Sequence, residues 1–234
     1  MTITSAHNEK LKELRKLRQR RRWRERTGRF VAEGEDLLAA ADTAGWTAVE
    51  RYCAAGSGLP GSEVDPKLLA SASGLGSGTR TLAVYEERWE PTATGPLCVY
   101  LHGLSDPGNV GAILRSAQAF GASSVAIGPR TADPFGPKAV RASMGAVFAV
   151  PLVRTPALAE LPGVTVALAA GQGSPLRELS LGEVTLLIGA EREGLPEAVL
   201  EAADAVAQIP IQNHSLNAAM AATVALYEAT RMAR

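Results

Sequence analysis

Leu97-Cys98-Val99-Tyr100-Leu101-His102-Gly103-Leu104-Ser105-Asp106-Pro107-Gly108-Asn109-Val110-Gly111-Ala112-Ile113-Leu114-Arg115 runs from a continuous apolar stretch, through a turn rich in Gly and Pro, into a helical pattern. An unbroken apolar run of this length predicts a strand buried on both faces, over Leu97–His102. Pro107, Gly108 and Gly111 allow a tight turn and a close backbone approach, and a helix follows over Asn109–Phe120. The same rhythm continues to the end of the chain. Strands are expected at Ser124–Ile127, Val147–Leu152, Val164–Ala169, Thr185–Ile188 and Val206–Ile209, with helices at Phe135–Met144, Pro196–Ala203 and Ser215–Arg231. Short apolar strands alternating with helices imply an α/β fold with a mostly parallel sheet, whose ligands sit beyond the carboxyl ends of the strands.

Upstream the pattern is different. Leu11, Leu14 and Leu17 lie at helical spacing within Glu9–Arg26, giving a narrow apolar stripe on a cationic helix. A strand over Arg29–Gly34, a helix over Glu35–Ala44 and a strand near Val49–Ala54 make a small α/β unit. Gly56–Ser62 and Ser71–Gly78 are read as loops, and Glu90-Pro-Thr-Ala-Thr-Gly-Pro96 has the composition of a linker. The boundary is placed near residue 93, giving units 1–92 and 93–234.

Residues 1–30 hold eleven Lys/Arg against three Glu, a net +8 in a chain whose overall formal charge is zero. A cationic segment on a neutral protein suits a polyanion, because each Lys or Arg placed at a phosphate releases condensed counterions. The other readings of that segment are a solvated basic helix or a targeting peptide, the latter interrupted by Glu9, Glu13 and Glu25. No apolar run is long enough for a membrane helix, and a cytoplasmic location is expected. Cys53 and Cys98 are far apart in apolar surroundings and are read as reduced core residues. His7, His102 and His214 have no ligand spacing, so no metal site is expected.

Three segments carry candidate chemistry. Asn109 either caps its helix or faces a ligand. Arg115, among Ile113, Leu114, Ala117 and Phe120, needs a partner if buried, and Glu191 in Leu186-Leu-Ile-Gly189-Ala-Glu191-Arg-Glu-Gly194 lies just past a strand end where it could supply one. Ile209-Pro210-Ile-Gln-Asn-His-Ser215-Leu216-Asn217 leads from a strand into the last helix. There Ser215 reads as the N-cap, and Asn217 has no evident structural duty. The Ala-rich surface of that helix reads as packing. The G-x-G-x-x-G and P-loop spacings are missing, which argues against a Rossmann dehydrogenase or a nucleotide hydrolase.

Taken together, Asn109 with Arg115, Gly189 with Glu191 and Gly194, and Ile209-Pro210 with Ser215-Leu216-Asn217 resemble the three ordered motifs of the SpoU (TrmH) branch of the SPOUT methyltransferases. Val140-Arg141-Ala-Ser143-Met-Gly145 matches a segment that the family carries between the first two. Ile3-Thr-Ser5, Asn8, Lys12, Thr27-Gly28, Phe30 and Glu33-Gly34 resemble the small L30e-like substrate-binding domain that precedes the knot in members acting on ribosomal RNA. The resemblance implies a deep trefoil knot and S-adenosyl-L-methionine held around Gly189, Ile209 and Leu216, near Ala169–Gly171. It also implies a homodimer with its sites at the subunit interface, to which the Ala-rich face of the last helix is suited.

The activity it implies is 2'-O-ribose methylation of RNA, most directly 23S ribosomal RNA, with no DNA or membrane partner. Arg115 would contact the 2'-hydroxyl and a neighbouring phosphate, Glu191 would orient Arg115, and Asn109 would hold the ribose or the arginine. Ser215 and Asn217 would complete the pocket. Ile211-Gln-Asn-His214 is shorter than the family loop and lacks its Gly. The alternatives are a transfer RNA ribose methyltransferase of the same family and a non-catalytic RNA-binding ribosome-assembly factor, the latter separable by cofactor binding.

Overall fold

The computed structural model describes residues 2–74, 78–154, 157–179, 182–212 and 216–232. The basic segment folds as α1 (Glu9–Gln19) and α2 (Arg21–Thr27), not as one helix. The break at Arg20, which is extended (φ −123°, ψ 104°), lets Arg24 turn back onto the Leu17 carbonyl (2.7 Å) and reach Asp133 (2.7 Å). Leu11, Leu14 and Leu17 are fully buried, as their spacing requires.

The small sheet contains β1 (Arg29–Glu33), β2 (Glu50–Ala54), β3 (Ser62–Val64) and β4 (Thr81–Glu86) in the order β1-β4-β2-β3, with α3 (Glu35–Thr43) and α4 (Pro66–Ala72) between strands. β3, α4 and β4 are additions to the sequence reading. The Gly- and Ser-rich stretches flanking them concealed elements only three to seven residues long.

The large sheet has seven strands: β5 (Leu97–Leu101), β6 (Ser124–Ile127), β7 (Leu152–Arg154), β8 (Val164–Leu168), β9 (Ser174–Pro175), β10 (Val184–Ile188) and β11 (Ala205–Gln208). Their order is β7-β6-β5-β10-β8-β11-β9, and all pairings are parallel. Its helices are α5 (Pro107–Ala119), α6 (Pro137–Ala142), α7 (Ala146–Ala149), α8 (Glu197–Ala202) and α9 (Ala218–Met232). β5 and β10 are buried throughout and lie side by side at the centre. From β5 the chain moves to β6 and β7 on one side. Beyond β10, β8, β11 and β9 lie on the other. The crevice above this reversal is where such sheets bind ligands.

The strand expected at Val147–Leu152 is instead the short helix α7 followed by β7. Gly145 (φ +96°) starts the turn, and Ala146, Val147 and Phe148 are all buried around the short helix. A short apolar run does not distinguish helix from buried strand by itself.

The two sheets share a core. Phe30 lies 4.7 Å from Phe135 and 5.9 Å from Phe148 between ring centroids, and the Trp46 indole donates to the Phe148 carbonyl at 2.8 Å. The segment read as a linker is fastened as well: Glu90 N–H donates to Leu152 O (2.7 Å) and Thr94 N–H to Ser124 Oγ (2.9 Å). Cys53 and Cys98 are free and buried. Among the described residues no helix is long and apolar enough to cross a membrane.

Candidate active site

Three loops meet above the β5/β10 crevice, and each has a local reason for its shape. The first leaves β5. Asp106 caps α5, accepting from Gly108 N–H at 2.9 Å and pairing with Lys138 at 2.7 Å; the ammonium and this amide hold its carboxyl below the usual range. Asp106, not Asn109, is therefore the cap, and Pro107 occupies the first turn, where its missing N–H costs nothing. Asn109 is left with its amide free to point across the crevice.

The second loop leaves β10. Ala190 and Gly194 exchange backbone hydrogen bonds (3.1 and 3.0 Å), closing a tight loop with Glu191 on it. A Cβ on Gly189 would collide with the Gly194 backbone, and Gly194 itself is left-handed (φ +67°). The G-x-E-x-x-G spacing thus has a steric cause: one glycine permits close approach and the other the return turn. The third loop enters α9. Asn217 Oδ1 accepts from Ala219 N–H (2.9 Å) and Met220 N–H (3.3 Å), so Asn217 is the N-cap that the sequence reading assigned to Ser215. Ser215 and the adjoining Asn213 and His214 lie outside the described residues.

The three loops are joined by side chains. Asn217 Nδ2 donates to Asn109 Oδ1 at 3.1 Å, and Asn109 Nδ2 donates to Glu191 Oε1 at 2.5 Å. Asn109 is the central link, with both ends of its amide engaged. The expected pairing of Glu191 with Arg115 is not made. Arg115 is exposed, and among the described residues it has no ion pair. The reason is helical geometry: six residues at about 100° each turn Arg115 onto a different face from Asn109. Its neighbour Ser116 instead meets Thr223 of α9 at 2.7 Å.

Behind this chain of amides lies a cavity of about 230 Å³. Gly189, Ile209 and Leu216, singled out from the sequence for a cofactor, all line it, together with Ala169, Ile188 and Glu191. Apolar walls, exposed backbone at strand ends and one carboxylate suit a flat heteroaromatic group carrying a cationic centre, which fits S-adenosyl-L-methionine. His102, just past the end of β5, lines a neighbouring cavity together with Glu191 and Gly194, a placement the sequence reading did not give it although its strand-end position was a usable signal. Its Nδ1 is 3.1 Å from Tyr100 Oη, and burial together with Arg130 pushes its pKa down.

The alanines of the last helix serve as packing, as read from the sequence, and not as the subunit-facing surface that the resemblance suggested for them. Ala218, Ala219, Ala222, Ala225 and Ala229 are buried within the chain, whereas Met220 (62% exposed), Val224 and Tyr227 (53% exposed) form a stripe on its outer side. Small residues allow α9 to lie close against α5 and β10, so the larger ones are left facing out.

The model of the SpoU rRNA Methylase family matches residues 96–227, and that of the MRM3-like substrate binding domain matches residues 8–88. The 23S rRNA (guanosine(2553)-2'-O)-methyltransferase RlmP of Bacillus subtilis is 31% identical, over 96% of this chain and 97% of its own. The AdoMet-bound rRNA methyltransferase from Sinorhizobium meliloti superimposes with a TM-score of 0.88 at 31% identity, covering 99% of this chain and 97% of that one. The SpoU methyltransferase AviRb from Streptomyces viridochromogenes, in complex with AdoMet, gives a TM-score of 0.84 at 28% identity over 96% and 98% of the two chains. A family model spanning more than half of the sequence, and relatives aligned over nearly all of both chains, place this protein in the SpoU rRNA methylase family.

Proposed function

We propose that this protein is an S-adenosyl-L-methionine-dependent methyltransferase acting in the cytoplasm on a ribose 2'-hydroxyl of large-subunit (23S) ribosomal RNA. The observation that carries the reading is the hydrogen-bonded chain Asn217–Asn109–Glu191 on the rim of the cavity lined by Gly189, Ile209 and Leu216. Relatives named as 23S rRNA 2'-O-methyltransferases support the substrate.

Bound in that cavity, S-adenosyl-L-methionine supplies an electrophilic methyl group. The chain's own part is alignment and control of a weakly acidic hydroxyl. Asn109, pinned at both ends, fixes the height of the crevice, and Glu191 offers its second carboxylate oxygen to a ribose. Ser215, two positions before Asn217 in the sequence, is assigned to the same pocket in this reading. Arg115 contacts the 2'-hydroxyl and an adjacent phosphate in this reading, stabilising negative charge without needing to lose a proton itself.

Arg115 is exposed in the single chain, and the stripe of Met220, Val224 and Tyr227 on the adjoining helix suits a homodimer through α5 and α9. That dimer would enclose Arg115 in a site at the subunit interface. Tyr227→Lys together with Met220→Lys is expected to convert a dimer to monomer in sedimentation analysis; a wild-type monomer removes this part of the reading. The deep knot belongs to the same proposal, supported by β11 lying between β8 and β9 while α9 packs back on β10. Units 1–92 and 93–234 serve as RNA-binding and methyltransferase parts.

Incubation with labelled methyl donor and unmodified ribosomal or transfer RNA, followed by alkaline hydrolysis, tests the reaction. Alkali-resistant labelled dinucleotide from 23S RNA is the expected product. Label released as mononucleotides would mean base methylation, and label confined to transfer RNA would move the substrate.

A further inference from the structure

Two more cavities flank the β5 and β6 strand ends, of about 540 and 500 Å³, each large enough for a nucleotide. The first lies between α2 and the β6–α6 loop and is walled by Arg21, Trp89, Arg130, Asp133 and Arg154. The second is bounded by His102, Arg130, Glu191 and Gly194, and so borders the cofactor cavity. Arg130 is common to both. Arg130 therefore stands between the side of helix α2 and the loop of Glu191, whose carboxylate accepts from Asn109.

The charges of the first cavity are matched in all places but one. Glu25 holds Arg21 (2.8 Å), Glu87 holds Arg154 (3.2 Å) and Asp133 holds Arg24 (2.7 Å). Among the described residues Arg130 has no carboxylate partner and is exposed; its nearest polar neighbour is His102 Nε2, 3.5 Å from Nη2. His102 cannot neutralise it, because an imidazole is either neutral or cationic, and burial together with Arg130 itself pushes the His102 pKa down.

Arg130 is also held in a conformation that side chains seldom adopt, at φ +57°. Three hydrogen bonds around it fix the loop to the β5 exit: Gly103 N–H to Pro129 O (3.0 Å), Thr131 Oγ1 to Leu101 O (2.9 Å) and Ala132 N–H to Leu104 O (2.7 Å). Glycine or asparagine would satisfy that backbone with less strain, so the presence of arginine calls for a reason in its side chain.

We infer that the Arg130 guanidinium binds a backbone phosphate of the RNA strand, next to the nucleotide whose ribose lies at Asn109 and Glu191. This rests on the RNA reading of the preceding section and adds a phosphate site that the sequence motifs do not include. The phosphate sits on the first-cavity side of Arg130, away from Glu191 and Glu193, and the ribose on the other. A planar fork with surplus charge suits a phosphodiester, and the matched acids leave no competitor for it.

The test measures binding of in vitro transcribed 23S ribosomal RNA to the full chain against salt concentration, with methyl-transfer kinetics in parallel. Arg130→Gly, at home in the left-handed backbone, is expected to lower the slope of log K against log salt by about 0.7 to 0.9, the value of one phosphate contact. Its KM should rise about tenfold with kcat unchanged and cofactor affinity intact, as for a contact made equally in ground and transition states. Arg130→Lys should keep the slope. An unchanged slope and KM in Arg130→Gly overturn the inference, as does a wild-type protein that does not bind the transcript. If Arg130→Gly fails to fold, judged by circular dichroism, Arg130→Asn is read by the same criteria. A wild-type protein that binds RNA but transfers no methyl group refutes the proposed reaction, and the salt slope still decides the phosphate site.

Discussion

Asn217 does two things at once, and its two atoms allow them to be separated. Oδ1 caps α9 while Nδ2 holds Asn109. Asn217→Asp keeps a good cap acceptor but sets a carboxylate against Asn109 Oδ1, acceptor to acceptor, and turning the Asn109 amide over to donate to it would leave Oδ1 facing Glu191. Stability within about 0.5 kcal/mol of wild type, with kcat lower by about 100-fold, is expected; Asn217→Ala should add a cap loss of about 1 kcal/mol. Equal activity of the aspartate variant in single-turnover methylation would show that the amide chain does not position substrate. His102 gives a second separation, by pH. Burial and Arg130 lower its pKa, so below the ordinary histidine value of about 6.5 the unfolded chain binds the proton first. Stability should therefore decline as pH falls through that value and level off below the folded pKa. His102→Gln should lack this component in urea unfolding followed between pH 5 and 8.

At the scale of the element, α5 shows why a motif glycine matters beyond its turn. A Cβ on Gly111 would strike the Ala139 carbonyl and the Ala142 side chain of α6. Alanine normally stabilises a helix interior by about 1 kcal/mol relative to glycine. Here the forced separation of α5 from α6 outweighs that gain, and Gly111→Ala is expected to cost about 1–3 kcal/mol net in denaturant unfolding. Because α5 carries Asn109, methylation should fall as well; a stabilised, fully active variant would mean that α6 yields freely. The helix itself was legible in the sequence, through its Pro and Gly entry and apolar spacing, and Gly189, Ile209 and Leu216, named together from the sequence, line one cavity. The partner of Glu191 was not. Sequence spacing placed a cation six residues after Asn109, but only the helical twist shows that the two face apart. Likewise, composition marked the alanines of α9 as a contact surface without saying which side of the contact lies within the chain.

Across the whole molecule, the alternating rhythm after residue 97 disclosed a parallel α/β sheet, because central strands are continuous apolar runs. The join between the two sheets stayed hidden, since it depends on aromatic residues distant from one another in the chain: Phe30, Trp46 and Tyr85 from one side, Phe135 and Phe148 from the other. Arg24 and Asp133 add a nearly buried ion pair across the same join. A composition typical of linkers at Glu90–Pro96 suggests independent units, yet that segment is hydrogen-bonded to the large sheet and the units share one core. Two units of this size with a mobile link would unfold separately; a shared core makes each the other's packing surface. Removing one ring from the middle should therefore weaken both. Phe30→Ala is expected to lose about 3–5 kcal/mol, shifting tryptophan fluorescence and far-ultraviolet circular dichroism to the same lower urea midpoint. The probes report different parts, because Trp23, Trp46 and Trp89 all precede residue 97 while the large sheet follows it. Coincident curves mean one cooperative structure. If fluorescence shifts while the remaining dichroism change stays at the wild-type midpoint, the aromatic join does not couple the sheets, and Arg130 would then be set relative to α2 by the strand ends alone.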